Sequence, residues 1–244
     1  MTDQPHVSAI VTAHREGLMA GPAARSLLAA VADAEKADIS CEIIVVLDIA
    51  DDLTRDVLNG ALGERAKYVE SATGDPGLAR NTGIAAATGE HACFLDADDL
   101  WSENWISAAI AAARKRPDAI HHSACNMVFG FQRLMFWHMD SESDGFDKSY
   151  LDWSNYWDSL SLAKTQIYRD TPFEANELSK GFGHEDWHWN AITIAKGIPH
   201  KPVAGTMHFK RARTDSQMSK VDSVGGIRAP LGDGEILRLQ DSWT

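Results

Sequence analysis

Three short clusters in this 244-residue chain carry residue types that do chemistry. The first is Phe94-Leu95-Asp96-Ala97-Asp98-Asp99, an apolar run that ends in closely spaced carboxylates. Alternate residues on a strand point the same way, which predicts Asp96 and Asp98 on one face. Carboxylates that close repel unless a cation or donor sits between them. A hard divalent ion such as Mg2+ or Mn2+ takes one or two of them and completes its shell with water and substrate phosphate. Taken alone, the triplet also fits a solvated acidic turn.

The second cluster is Gly183-His184-Glu185-Asp186-Trp187-His188-Trp189. Read literally, His184-Glu185-x-x-His188 is the HExxH pattern of zinc metallopeptidases, in which two histidines on one helix face bind zinc and the glutamate is the base. Against this, no third ligand follows at short spacing (the next histidines are His200 and His208), Asp186 adds a charge to such a site, and peptidase chemistry makes no use of the strand-end aspartates. The pattern also fits a helix start whose acids suit the positive end of the dipole. The third cluster, Lys210-Arg211-Ala212-Arg213-Thr214-Asp215-Ser216, is strongly basic in an acidic chain. On an extended segment Arg211 and Arg213 point to one side, and guanidinium forks suit phosphate oxygens. A solvated basic turn paired with acidic neighbours is the plainer alternative.

The first half of the chain alternates apolar and amphipathic runs. Strands are predicted over Val7–Ala13, Glu42–Leu47, Ala66–Glu70 and His91–Leu95, with EIIVVL reading as a strand buried on both faces. Helices are predicted over Gly21–Ala37, Asp52–Gly60, from the Asp75-Pro76 start to a stop at Gly89, and from a Ser102 cap through Arg116. Ala119–Phe131 reads as extended. This alternation predicts an α/β fold with a mostly parallel central sheet flanked by helices, and in such sheets the ligand crevice lies beyond the carboxyl ends of the strands. The second half is less regular. Residues 138–156 read as a loop, Glu174–Ser179 and Glu185–Lys196 as helices, and Leu160–Tyr168 and Pro202–Phe209 as strands, with a mobile tail or lid from Ser223 onward.

The formal net charge of -12 argues against broad binding to nucleic acid and against a polybasic membrane anchor, but not against a phosphate-bearing ligand in one cleft. The widely spaced Cys41, Cys93 and Cys125 read as free thiols of a reducing compartment. No signal peptide and no transmembrane span is visible, which predicts a location in the cytoplasm, or peripheral at the inner face of the membrane.

The segment Gly77–Trp101 (GLARNTGIAAATGEHACFLDADDLW) resembles the core of the family-2 glycosyltransferases, as do the opening VSAIVTAHRE and, more loosely, EIIVVLDIADD. The second cluster is similar to that family's ED motif, FGxEDW, and the third to its YRxRxxS segment. The resemblance covers about residues 7–216 and implies a GT-A fold: residues 1–128 as a nucleotide-sugar-binding half, 129–216 as the acceptor and catalytic-base half of the same domain, and 217–244 as tail or lid. By resemblance, Thr12, His14 and Glu16 line the base pocket, Asp48 matches the base-reading aspartate, and Arg80 lies against the nucleotide. Asp96 bonds the ribose, Asp98 ligates the metal, and Asp99 is a further ligand or an orienting group. Asp186 is the catalytic base, and Glu185 contacts acceptor or donor sugar. Trp187 and Trp189 form an acceptor wall, although helix aromatics more often belong to a core. Arg211, Arg213 and Ser216 contact the pyrophosphate, and His208 supplies a metal ligand. Leu47 and Ile49-Ala50 depart from the family's DDGS pattern.

The implied reaction is a Mn2+- or Mg2+-dependent, inverting transfer of one sugar from a nucleoside-diphosphate sugar, a UDP-sugar by preference, to a hydroxyl of a glycan, lipid-linked or small acceptor, in cell-surface polysaccharide or glycoconjugate synthesis. The QxxRW segment of processive members is absent, which favours single addition. The alternatives are a nucleotide-sugar-binding protein without turnover and the HExxH zinc metallopeptidase.

Overall fold

The computed structural model describes residues 4–214, 221 and 223–231. Its centre is a nine-stranded sheet of order β3-β2-β1-β4-β8-β6-β9-β5, with β7 paired to β6. The strands are β1 (Val7–Ala13), β2 (Cys41–Asp48), β3 (Ala66–Ser71), β4 (His91–Asp96), β5 (Leu100–Trp101), β6 (Ile120–Gly130), β7 (Leu134–Trp137), β8 (Ser161–Lys164) and β9 (His200–Ala212). The first four are mutually parallel, as their continuous apolar runs predict for strands covered on both faces. β8 runs antiparallel to β4 and β6, whereas β9 is parallel to β6. The expected division after residue 128 falls inside β6.

Helices α1 (Ala20–Lys36), α2 (Asp52–Leu62) and α4 (Trp105–Lys115) pack one side of the sheet, where Leu27, Val31, Leu58, Trp105 and Ile106 join Val11, Val45 and Leu95. On the other side lie α3 (Pro76–Ala86), α5 (Thr165–Asp170) and α6 (Glu185–Ala195), with Ile10, Ile44, Phe94, Tyr168, Phe173 and Trp189 in one cluster. α3 starts as its sequence predicts: the Asp75 carboxylate accepts from the Leu78 N–H and Pro76 occupies the first turn. It lies so close to β1 that a Cβ at Gly83 would sit 2.5 Å from a methyl of Ile10.

Several elements differ from expectation. α3 ends at Ala86, and Gly89 serves a tight approach instead, since a Cβ there would meet the Ser8 backbone nitrogen at 2.6 Å. α4 starts after Asn104, because the Ser102 hydroxyl accepts from the Met207 N–H and ties β5 to β9. Residues 174–179 form no α-helix; the Asn176 N–H donates to the Asp75 carboxylate, holding the segment against the start of α3, and only Leu178–Lys180 makes a 3-10 turn. The strand expected over 160–168 stops at Lys164 and becomes α5, with Tyr168 turned into the core against Phe94. Part of the expected tail is packed: Ile227 bridges to Phe182, and Arg228 donates to the Leu151 carbonyl and pairs with Asp152. Residues 232–244 lie outside the described residues.

Candidate functional site

The carboxyl ends of β1, β2 and β4 open on one cavity of about 350 Å3. β2 and β4 flank β1 on opposite sides, so the crevice forms where the strand order reverses. Thr12, His14, Glu16, Asp48, Arg80, Asp96, Asp98, Asp99, Glu185, Asp186, Arg211 and Arg213 all line it, although they come from elements spread over two hundred residues of chain. Ser216 lies outside the described residues.

Register brings Thr12 beside Asp96, and the Thr12 hydroxyl donates to the Asp96 carboxylate at 2.9 Å. Arg80, projecting from α3, forks between two acids: one guanidinium nitrogen is 3.0 Å from Asp96 and the other 2.8 Å from Glu185. Burial acts against both charges, yet the pairing holds Asp96 below the usual carboxylate range and Arg80 above the usual arginine range. Arg80 thereby links the tip of β4 to the first turn of α6. Asn176 adds an amide N–H to the other oxygen of Glu185, at 3.1 Å.

At the wall that His14, Glu16 and Asp48 form, the Asp48 carboxylate accepts from the backbone and hydroxyl of Thr73, while its carbonyl meets His14 Nδ1 at 2.6 Å. The Glu16 carboxylate accepts from the His14 N–H, and burial raises its pKa. After Asp48 in the chain, Ile49 stands where the family pattern has glycine and adopts φ +52°, a conformation costly for a β-branched side chain.

Asp96 is the last residue of β4, and the chain turns there, with the Asp99 N–H bonded to the Asp96 carbonyl. Asp96 and Asp98 therefore reach the cavity from a turn and not from one extended face. Burial raises Asp98 to about 6, against the pull of Arg213 3.2 Å away and with the help of Asp96 and Glu16. Burial likewise raises Asp99 to about 7. Asp99 has both oxygens engaged, one by the Arg211 N–H at 2.6 Å and the other by Lys210 Nζ at 3.1 Å. Asp98, with Asp96 and Glu16 near it, is the carboxylate here that could hold a cation, whereas both oxygens of Asp99 are already taken. Asp186, at the first turn of α6, is raised to about 7 by burial and by the adjacent Glu185 charge.

Three expected placements fail. His208 is fully buried, its ring 4.5 Å from that of Trp105, and it does not line the cavity; burial lowers its pKa to about 3. Trp189 belongs to the core, stacked on Phe173 and Tyr168 and donating to the Thr171 carbonyl. Trp187 is half-buried and donates to the Leu151 carbonyl, away from the cavity lining. The HExxH reading fails as well: His184 precedes the helix at φ +57°, and His188 turns to the Ala229 carbonyl and Glu174.

The residue that sequence reasoning passed over is Lys210. Its ammonium lies in the cavity wall among Asp99 (3.1 Å), Asp158 (3.7 Å) and Asp96 (3.9 Å). Burial opposes its charge, but these acids raise its pKa. Only its place beside Arg211 in a strand hinted at this role. Asn176 and Thr73, which orient Glu185 and Asp48, sit in stretches without any motif.

Comparison with known proteins places the fold and the family. A 72-residue stretch is 39% identical to an uncharacterized glycosyltransferase, alr2836, of Nostoc sp., covering 28% of the chain and 22% of that protein. Among solved structures, S. aureus TarS 1-349 in complex with UDP-GlcNAc superposes with a TM-score of 0.58 at 19% identity, covering 87% of this chain and 60% of that one. The mannosyltransferase PcManGT from Pyrobaculum calidifontis, in complex with GDP-Man and Mn2+, gives 0.59 at 15% identity, covering 94% and 67%. These likenesses establish the GT-A fold. Residues 8–175 match the description Glycosyl transferase family 2, and the chain belongs to that family.

Proposed function

We propose that this chain transfers one sugar, with inversion, from a nucleoside-diphosphate sugar to a hydroxyl acceptor. The observation that carries the reading is the convergence of Asp96, Asp98 and Asp186 on one cavity, at the strand ends of a family-2 fold. Two structural neighbours are complexed with UDP-GlcNAc and GDP-Man, which supports a nucleotide sugar as donor. The first half of the chain supplies the donor side and the segment through α6 the acceptor side.

A direct displacement needs one base at the acceptor hydroxyl, opposite the leaving phosphate. We assign that step to Asp186, which lines the cavity. Its raised pKa makes the carboxylate a stronger base than an exposed aspartate, at the cost of being only partly ionised near neutrality. As the acceptor oxygen bonds to the anomeric carbon, its proton passes to Asp186 and the nucleoside diphosphate departs with the bonding electrons. Arg211 and Arg213 bind the departing phosphates. Thr12 and Arg80 hold Asp96 toward the ribose, and His14, Glu16 and Asp48 border the base. Asp98 would hold Mn2+ or Mg2+, with Asp99 and Lys210 fixing the turn behind it. The ion would supply positive charge at the diphosphate.

A thermal-shift screen of UDP-, GDP-, dTDP- and CDP-sugars with and without Mn2+ identifies the donor, since ligands that bind the folded state stabilise it. Proton NMR of the product formed from that donor then reports the anomeric configuration. Inverted product supports the proposal; retained configuration, or donor binding without release of nucleoside diphosphate, contradicts it.

A further inference from the structure

Behind the cavity wall, between β6, β8 and β9, lies a second cluster of ionisable groups that sugar transfer does not use. His122, His138 and Asp158 are all buried and present ligand atoms within 4.8 Å of one another. The hydrogen bonds around them decide where the protons are. His138 Nδ1 lies 2.7 Å from the Ser123 carbonyl, which only an N–H can satisfy, so Nε2 carries a lone pair. That atom has no partner among the described residues and sits 3.9 Å from an oxygen of Asp158.

A longer chain fixes His122. The Thr193 hydroxyl donates back to a helix carbonyl, Trp189 at 3.0 Å or Asn190 at 2.9 Å. With its proton on that carbonyl, the hydroxyl accepts from His200 Nε2, at 2.8 Å. His200 Nδ1 is then an acceptor, and His122 Nε2–H donates to it at 2.9 Å. His122 Nδ1 is left with a lone pair and, like His138 Nε2, no partner. Asp158 is itself oriented, by the Asn126 amide at 2.7 Å and the Leu160 N–H at 3.1 Å. Two imidazole nitrogens without partners and a carboxylate thus lie close together in a buried place. Buried acceptors without partners are costly, and facing one another they also repel. A cation would give both unpartnered nitrogens a partner, with Asp158 as a third ligand.

We infer that His122, His138 and Asp158 form a second metal site, separate from Asp98, that takes a zinc-class ion in a structural role. Two imidazoles with one carboxylate is a donor set suited to zinc, and less so to magnesium or calcium. Each histidine donates its other ring nitrogen to a carbonyl or to a further imidazole, the arrangement that fixes ligating rings. Zinc bonds of about 2.0–2.2 Å require the present 4.8 Å span to contract, with water as fourth ligand. The ion would join β6, the residue after β7 and the segment entering β8. Through Asp158, 3.7 Å from Lys210 Nζ, it would also fix the Lys210 ammonium beneath the cavity. This inference does not rest on the sugar-transfer reading.

The test uses the full chain with any purification tag removed, loaded with zinc, passed through gel filtration and analysed by plasma mass spectrometry. One retained zinc per chain is expected in the wild type and in D98N. H138Q keeps the ring's volume closely enough to fold, and it should lose zinc affinity by at least about tenfold. T193V, which touches no ligand atom, should weaken zinc by about tenfold through the His200 tautomer. Cobalt in place of zinc should give the visible absorption of a tetrahedral site in the wild type, whatever the variants do. No retained zinc and no cobalt spectrum in the folded wild type would overturn the inference. So would a zinc equivalent that survives H138Q but is lost in D98N.

Discussion

Asp186 shows how burial sets both reactivity and stability. Its pKa, raised from the usual 3.8 to about 7, means that the folded chain binds this proton more tightly than the unfolded chain. The stability from that proton is complete below about pH 4 and is lost as pH rises to about 7. D186N should therefore gain stability over wild type with rising pH, by on the order of 2–3 kcal/mol between pH 5 and 8, as chemical denaturation would show. Equal pH dependence in the two proteins would refute the burial argument. As a base, Asp186 acts only when ionised, so kcat/KM should rise with pH through about 7 before levelling. At Asp98, also raised, to about 6, D98N should remove the divalent-ion dependence of nucleoside diphosphate binding, as calorimetry with and without Mn2+ reports. At this scale the sequence was informative where the chain keeps its motifs together, as in Asp96-Ala97-Asp98-Asp99. It was silent where a role depends on distant partners. Lys210 gains its place from acids more than fifty and one hundred positions away. His208 lost its expected place because it lies one step back from Lys210 on β9, buried against Trp105 and short of the cavity that Lys210 reaches.

Among the elements, the parallel strands were legible because burial on both faces leaves continuous apolar runs, and α3 because Asp75-Pro76 states its start. The segment between β8 and α6 was not, because its conformation is set by tertiary bonds such as Asn176 to Asp75 and not by local periodicity. Close packing of α3 on β1 makes Gly83 a steric requirement. G83A should cost about 1–3 kcal/mol by overpacking, with the thermal midpoint as readout. A G83A midpoint unchanged from wild type would show that Ile10 has room to move. Ile49, at φ +52° and half exposed at the end of β2, is the opposite case. I49G should be neutral or stabilising, by up to about 1 kcal/mol, because glycine relieves the left-handed strain. A loss of more than that would mean that the Ile49 side chain holds the base-side wall through its contacts.

For the whole molecule, helices cover both sides of the sheet, and the strand order turns at β1, where the polar tips of β1, β2 and β4 line the cavity. The sequence indicated this much through its α/β alternation. The mixed second half of the sheet, with β9 inserted between β6 and β5, has no such signature, since its neighbours are far apart in sequence. Among the described residues no helix is long and apolar enough to cross a membrane.

The most direct test of donor side and base serving one cavity is nucleoside diphosphate release from the stabilising donor, with Mn2+, measured beside donor affinity in wild type and D186N. D186N is predicted to bind donor as wild type does and to release product about 100-fold more slowly or worse. Release by D186N at the wild-type rate, with affinity intact, would contradict the account.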